Sequence, residues 1–373
     1  MAENTRLREL AKLFGRLGMT AFGGPAAHIA MMQKEVVDRR HWMDHQHFLD
    51  LIGATNLIPG PNSTEMAIHI GQERGGWKGL LIAGACFILP AVFITGVIAW
   101  AYRQYGQLPQ VTAFIYGIKP AVIAVIAGAV YPLAKKAFKT RALWVIGGLA
   151  LVAGLLGLNE IAVLFGGGAI AMAWYALRRP GATAAGFLPW ALLQVQSMNA
   201  YNLRIFFTFL KIGAILYGSG YVLFAFLDSE LVAKGLLSRQ QLMDAIAVGQ
   251  FTPGPVFSSV TFIGWQLNGL TGAVLATVAV FLPSFVFVAA LNPLVPLMRR
   301  SRLFSAFLDG VNVASVAIII TVCVEFGRDT VTGWRTIVIA ILGCIATFGF
   351  RSVNSAWVIL GGGVLGYLLT LVR

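Results

Sequence analysis

The sequence predicts an all-α polytopic membrane protein of two inverted-topology repeats, each of about six apolar segments with a helix broken at Pro-Gly-Pro. Three observations predict it: apolar runs of membrane length, a motif order that recurs at a fixed offset, and a reversal of loop charge between the halves. Of 373 residues, 58% are hydrophobic and 12% charged, with mean hydropathy +0.77. Soluble domains carry about 25% charged residues. The apolar residues fall in runs of about 17 to 25, the length that crosses a bilayer as helix.

The runs lie near 9–27, 48–71, 77–102, 111–134, 142–158, 160–177, 205–227, 241–264, 268–292, 305–325, 334–349 and 353–372. The stretch 181–203 starts apolar and ends with Gln194, Gln196, Ser197, Asn199 and Asn202, so it reads as a linker or an extra span. The expected organisation is an N-terminal transporter-like repeat over 1–180, this connection, and a C-terminal repeat over 204–373. Net charge is +13, but the basic residues sit in short connections between apolar runs, which argues for membrane orientation rather than nucleic acid. Met1 to Lys12 is charged and lacks the features of a cleavable signal, so the first segment is expected to stay. Cys86, Cys323 and Cys344 stand singly in apolar runs, as packing residues do, and no metal site or cofactor motif is expected.

Duplication is read from motifs offset by 193 to 195 residues. Phe14, Gly18, Phe22 and Gly23 match Phe209, Gly213, Tyr217 and Gly218; Pro59-Gly60-Pro61 matches Pro253-Gly254-Pro255. Gly79 matches Gly272, Leu89-Pro90 matches Leu282-Pro283, and Gly117 matches Gly310. Loop charge does not follow the repeat. Lys135, Lys136, Lys139 and Arg141 follow the fourth segment of the first half, whereas the equivalent loop mixes Arg328 and Arg335 with Glu325 and Asp329. After the third segment the first half has only Arg103, the second Arg299, Arg300 and Arg302. The positive-inside rule then sets the halves in opposite orientations, as in many secondary transporters. Two schemes supply the odd number of crossings this needs. In one, every segment and 181–203 cross, and the basic N-terminus is cytoplasmic; in the other, the Pro-Gly-Pro segment dips in and returns, each half has five full spans, and the N-terminus falls outside. The first is expected, although it leaves Lys34, Arg39 and Arg40 outside.

Two prolines around a glycine break a helix, and a membrane tolerates such a break only where it is buried in protein or lines a cavity. After the first break, Asn62, Ser63 and Thr64 open the next half-helix, with Asn62 and Glu65 at capping-box spacing; after the second stands Ser258 with Ser259. Half-helix N-termini offer N–H groups and a positive dipole end to a tetrahedral anion. Gly23, Gly24 and Gly218 add a second flexible backbone element to each half. A kinked, merely packed helix is the alternative, and the duplication disfavours it. Lys119, in the apolar run FIYGIKPAVIAVIAGAV, is expected to contact the anion or to snorkel. Arg16 and Lys211, equivalent by the offset, are candidates to draw an anion in. His28, Glu65 and His69 adjoin the breaks and are the candidates for proton coupling.

These residues resemble the chromate ion transporter family in its long two-domain form. The resemblance rests on FGGPAAHI (22–29), the charged stretch followed by Trp42, LIPGPNS (57–63), GQERGGWKG (71–79), FILPA (87–91), TPGP (252–255) and FLP (281–283). It implies a multi-pass inner-membrane secondary transporter that expels chromate with the proton motive force. The family motif often has Gln three residues before Pro-Gly-Pro; here Asn56 holds that place and Gln250 keeps it in the second half, with Thr252 beside it. Sulfate resembles chromate in size, charge and shape, so sulfate uptake or exchange is the alternative activity. An enzyme is disfavoured by the lack of flavin, nicotinamide, haem or paired-cysteine motifs. A pure channel is disfavoured by the paired broken helices. Expected partners are the oxyanion and the bilayer, with a homodimer as an open assembly and nucleic acid excluded.

Overall fold

The computed structural model describes residues 2–106, 108–178, 201–218, 220–291, 298, 301–350 and 353–371. Most of the stretch 181–203 and the Arg299-Arg300 pair therefore lie outside the described residues. Fourteen α-helices occur among them: α1 Ala2–Thr20, α2 Gly24–Gln33, α3 His45–Thr55, α4 Asn62–Tyr105, α5 Pro109–Ala137, α6 Arg141–Leu155 and α7 Glu160–Arg178 in the first half. The second half has α8 Tyr201–Ile215, α9 Val222–Leu227, α10 Arg239–Phe251, α11 Ser259–Leu291, α12 Arg302–Thr330, α13 Trp334–Gly349 and α14 Ser355–Leu371. Side-chain caps from Asp44, Thr140, Ser238 and Ser301 start α3, α6, α10 and α12.

Seven helices per half against six apolar runs reflects chain reversals that hydropathy does not register. α4 is two arms, 62–74 and 77–105, joined at Gly75 and at Gly76 with φ 58°. The backbones of Gly71 and Gly79 press together, so that a Cβ on either would strike the other's carbonyl. Eight residues apart on a straight helix they would be about 12 Å distant. α11 repeats the reversal at Asn268 and Gly269, with Gly264 against Gly272.

α3 and the first arm of α4 also run antiparallel. His47 Nε2 lies 3.6 Å from Glu73 Oε2, and the Arg74 guanidinium sits 4.2 Å over the Trp42 ring. An uninterrupted path through both pieces would separate those ends by about 35 Å. The Pro-Gly-Pro loop is thus the tip of a hairpin that enters and returns, as in the second scheme, which corrects the preferred expectation that 48–71 crosses. The run 9–27 is likewise no crossing: α1 turns at 21–23 into α2, and Arg6 near the start of α1 lines one cleft with Trp42 beyond the end of α2. Glu9 pairs with Arg74 at 2.8 Å and Glu3 with Lys78 at 3.1 Å. All four hairpin ends gather at one end of the molecule. Gly18, near the α1 tip, packs on the Phe87 carbonyl, about 15 Å down the second arm of α4.

The opposite end collects the equivalent parts of the second half. Tyr201 Oη donates to the Leu267 carbonyl at 3.3 Å, Asn268 Nδ2 to Asn202 Oδ1 at 2.6 Å, and Gly269 faces Arg103. From Trp77 to Arg103 the second arm of α4 measures about 40 Å, so the turns at 75–76 and 268–269 lie at opposite ends of it. α5 ends beside the start of α12, where Lys139 pairs with Asp309 at 2.8 Å; α12 ends with Asp329 at 3.2 Å from Arg239, which opens α10.

The halves interlock through small residues. Gly117 of α5 packs on Gly362 and Gly366 of α14, and its equivalent Gly310 of α12 packs on Gly167 of α7, as small-residue contacts let membrane helices approach. Among the described residues, five helices are long and apolar enough to cross a membrane. Apolar side chains such as Phe93, Trp144, Leu156 and Trp357 face outward, as a lipid-facing surface requires.

Candidate functional site

The four hairpin tips meet and are tied by two equivalent hydrogen bonds. Gly60 N–H donates to the Leu216 carbonyl at 2.8 Å, and Gly254 N–H to the Ala21 carbonyl at 2.8 Å. Each Pro-Gly-Pro loop is therefore held by the unwound glycine segment of the other half. The geometry demands glycine: φ is 140° at Gly60, 87° at Gly254, 100° at Gly23, 80° at Gly24 and 95° at Gly218. Pro59, Pro61, Pro253 and Pro255 are buried in these tips.

Polar groups surround the knot. His28 Nε2 lies 3.1 Å from the Ala21 carbonyl and Nδ1 3.3 Å from Ser63 Oγ. A carbonyl only accepts, so Nε2 carries the proton and Nδ1 accepts from the serine. Both ring nitrogens hold the tip in place. Glu65 Oε1 lies 3.5 Å from Ser284 Oγ across the repeat boundary. Its other oxygen and both nitrogens of His69, one helical turn on, have no hydrogen-bond partner among the described residues, although both residues are buried. Thr95 Oγ1 reaches Ser258 Oγ at 3.4 Å, and Thr252 Oγ1 donates to the Val248 carbonyl at 2.9 Å. The expected capping box is absent: Pro61 precedes the first helical residue, and Asn62 Nδ2 instead donates to Asn56 Oδ1 at 2.7 Å. Asn56 is exposed at the neck of its hairpin, whereas Ser63, Thr64, Gln250, Thr252 and Ser258 are buried.

Lys119 stands off from the tips. Its Nζ is 3.0 Å from Oδ1 of Asp244 on α10, whose Oδ2 accepts from Tyr102 Oη at 2.7 Å. Asp244 lies about 13 Å along α10 from Pro253. Sequence reasoning missed it, although an acid in the apolar run LMDAIAV with an equivalent at Asp50 was a signal to follow.

Arg16 and Lys211 are bound to equivalent buried carboxylates. Arg16 pairs with Glu35 at 2.7 Å, joined there by Arg39 and Arg40; Lys211 pairs with Glu230 at 2.8 Å, joined by Lys234. Each acid sits on a π-helical turn that follows its hairpin arm. Burial raises the affinity of both carboxyls for a proton, but the surrounding cations outweigh it and hold them below the usual range. Each cluster retains an excess of positive charge.

The two halves are not equally closed. Gly218 lies against Ser315 and near Asn312, and α9 and α10 pack on α12 and on α5 and α14 respectively. The equivalent Gly23 is exposed, and α2 and α3 pack chiefly on α4.

The family model described as chromate transporter matches residues 8–172 and again 203–367. A chromate transport protein of Cupriavidus metallidurans is 30% identical over 372 residues, covering 96% of this chain and 92% of the relative. A probable chromate transport protein of Synechococcus elongatus is 28% identical over 92% of this chain and 90% of its own, and a chromate transport protein of Pseudomonas aeruginosa is 28% identical over 97% and 92%. No solved structure matches the chain.

Proposed function

The chain belongs to the chromate transporter family, and from that premise we propose that it exports chromate across the inner membrane as a secondary transporter coupled to the proton motive force. The observation that carries the reading is the pair of equivalent bonds, Gly60 to Leu216 and Gly254 to Ala21, tying two broken hairpins from each half. Two pseudo-equivalent sets of tips, one closed against its neighbours and one less so, suit alternating access around a fixed site.

In this reading the halves lie in opposite orientations, and the end bearing Arg6, Arg8, Arg74, Lys78, Lys135, Lys136 and Arg302 faces the cytoplasm. Its surplus of positive charge, with the Glu35 cluster near it, concentrates a dianion at the entrance. The amides and hydroxyls at Gly23, Gly24, Asn62, Ser63, Thr64, Gly218, Thr252 and Ser258 then receive the tetrahedral oxygens, and Lys119, away from the tips beside Asp244, adds full positive charge to the path. Glu65, with one oxygen near Ser284 and the other unpartnered among the described residues, and His69, whose ring nitrogens have no partner among them, are the candidates to exchange a proton. A dianion leaving a negative interior gains about 2.3 kcal/mol per charge per 100 mV, or about 4.6 kcal/mol in all, which favours export.

Counterflow in proteoliposomes, with chromate, sulfate and molybdate and with or without an imposed pH gradient, tests the proposal. Chromate exchange accelerated by a pH gradient is expected. Chromate flux indifferent to the pH gradient would remove the proton coupling, and no chromate flux the function.

A further inference from the structure

Lys119 on α5 of the first half, 13% exposed, and the buried Asp244 on α10 of the second form an ion pair between the repeats. The 3.0 Å contact meets the distance of an ion pair, but Oδ1 makes no aligned hydrogen bond, while Oδ2 is held firmly by Tyr102. The carboxylate is thus anchored to α4 through one oxygen and offers the other to the ammonium. A carboxylate presents an ammonium with the same chemistry as one edge of an oxyanion. Resting on the reading of Lys119 as an anion contact, we propose that Asp244 is a positioning residue that competes with the anion for Lys119, holds α10 against α5, and is displaced by an incoming dianion.

Three observations support this. The pair bridges elements of different halves, so its state is tied to how they sit. Asp244 Oδ1 meets the ammonium at ion-pair distance without an aligned hydrogen bond. The repeat equivalent of Lys119 is Asn312, which is uncharged. The charged latch exists on one side only. When a dianion takes Lys119, α10 loses its ionic hold on α5, and the first-half hairpin tip becomes free to close in its place. Among the described residues, the charged or titratable side chains against Asp244 are Lys119 and Tyr102.

Equilibrium dialysis of radiolabelled chromate against purified protein in lipid nanodiscs tests it. Asp244→Asn removes the competitor and is expected to tighten chromate binding severalfold, up to about fivefold, the worth of one ion pair. Asp244→Glu, which keeps a carboxylate, moves the constant much less. Lys119→Ala loses binding, and adding Asp244→Asn to it changes nothing further, because Asp244 acts through Lys119. A folded, monodisperse Asp244→Asn protein with unchanged or weaker binding overturns the proposal. Where that variant does not fold, Tyr102→Phe substitutes: loss of the phenol concentrates charge on the oxygen facing Lys119, so chromate binds severalfold more weakly, and an unchanged constant overturns the proposal. If Lys119→Ala binds as the parent does, the assignment of Lys119 to the anion site fails. If Lys119→Ala loses binding and Asp244→Asn does not tighten it, only the competitor role fails.

Discussion

Glu35 gathers Arg16, Arg39 and Arg40 around one buried carboxylate, and its lowered pKa makes a prediction with a definite sign. A carboxyl whose pKa falls on folding stabilises the fold above its unfolded value of 4.5, and that contribution is lost as pH drops through the folded value. Glu35→Gln should therefore melt below the parent at neutral pH, and the gap should close on acidification. Thermal unfolding followed between about pH 3 and pH 7 checks it; a gap that widens toward acid contradicts the cluster. At the tips the decisive residue is Gly254. With φ 87°, and with the Gly18 carbonyl 3.0 Å from any added Cβ, Gly254→Ala incurs both strain and collision. Gly157→Ala, at φ 76° in open space, incurs only the strain, about 1–2 kcal/mol. Chromate transport should fall at least tenfold in the first and stay near the parent in the second, an outcome read by flux at matched protein.

At the scale of elements, the Pro-Gly-Pro breaks and the duplication were legible because they rest on local backbone rules and on motif order. The re-entrant course stood as the second scheme but could not be chosen, because an apolar stretch that enters and returns has the same hydropathy as one that crosses. The signal lay in glycines instead. Gly71, Gly76 and Gly79, and Gly264, Gly269 and Gly272, recur at the offset of the repeat and close the two arms of α4 and α11. Asp244 was overlooked because its partner is distant in sequence. The hairpins also explain a charge pattern that neither crossing scheme accommodated: folding 9–27 and 48–71 back brings Arg39 and Arg40 to the same end as Arg6, Arg74 and Lys78. Gly71→Leu and Gly264→Leu should damage folding about equally, by about 1–3 kcal/mol or more each. Gly148→Leu, on an open face of α6, should be tolerated. Size-exclusion profiles and melting temperatures of the three distinguish a closed hairpin from a straight helix, for which Gly71 would be no more sensitive than Gly148.

For the whole molecule the central question is whether the halves face opposite ways across the bilayer. Trp77 and Leu270 are equivalent by the offset of 193 residues, follow the two hairpin turns, and are 69% and 65% exposed. The second arm of α4 sets those turns about 40 Å apart, more than the hydrocarbon thickness of about 30 Å. If the halves were parallel, equivalent turns would share one face. In the inverted reading they emerge on opposite faces, and the basic surplus around Trp77 assigns that end to the cytoplasm. The cysteines Cys86, Cys323 and Cys344 are free and removable, which gives a background for labelling. In it, Trp77→Cys should react with a membrane-impermeant maleimide only in inside-out vesicles, and Leu270→Cys only in right-side-out vesicles. Arg302→Cys, at the start of α12, should follow Trp77→Cys, because Asp309 on that helix pairs with Lys139 at the end of α5. Labelling of Trp77→Cys and Leu270→Cys from the same side would make the repeats parallel, and alternating access by exchange of equivalent hairpins would have no symmetry to act through.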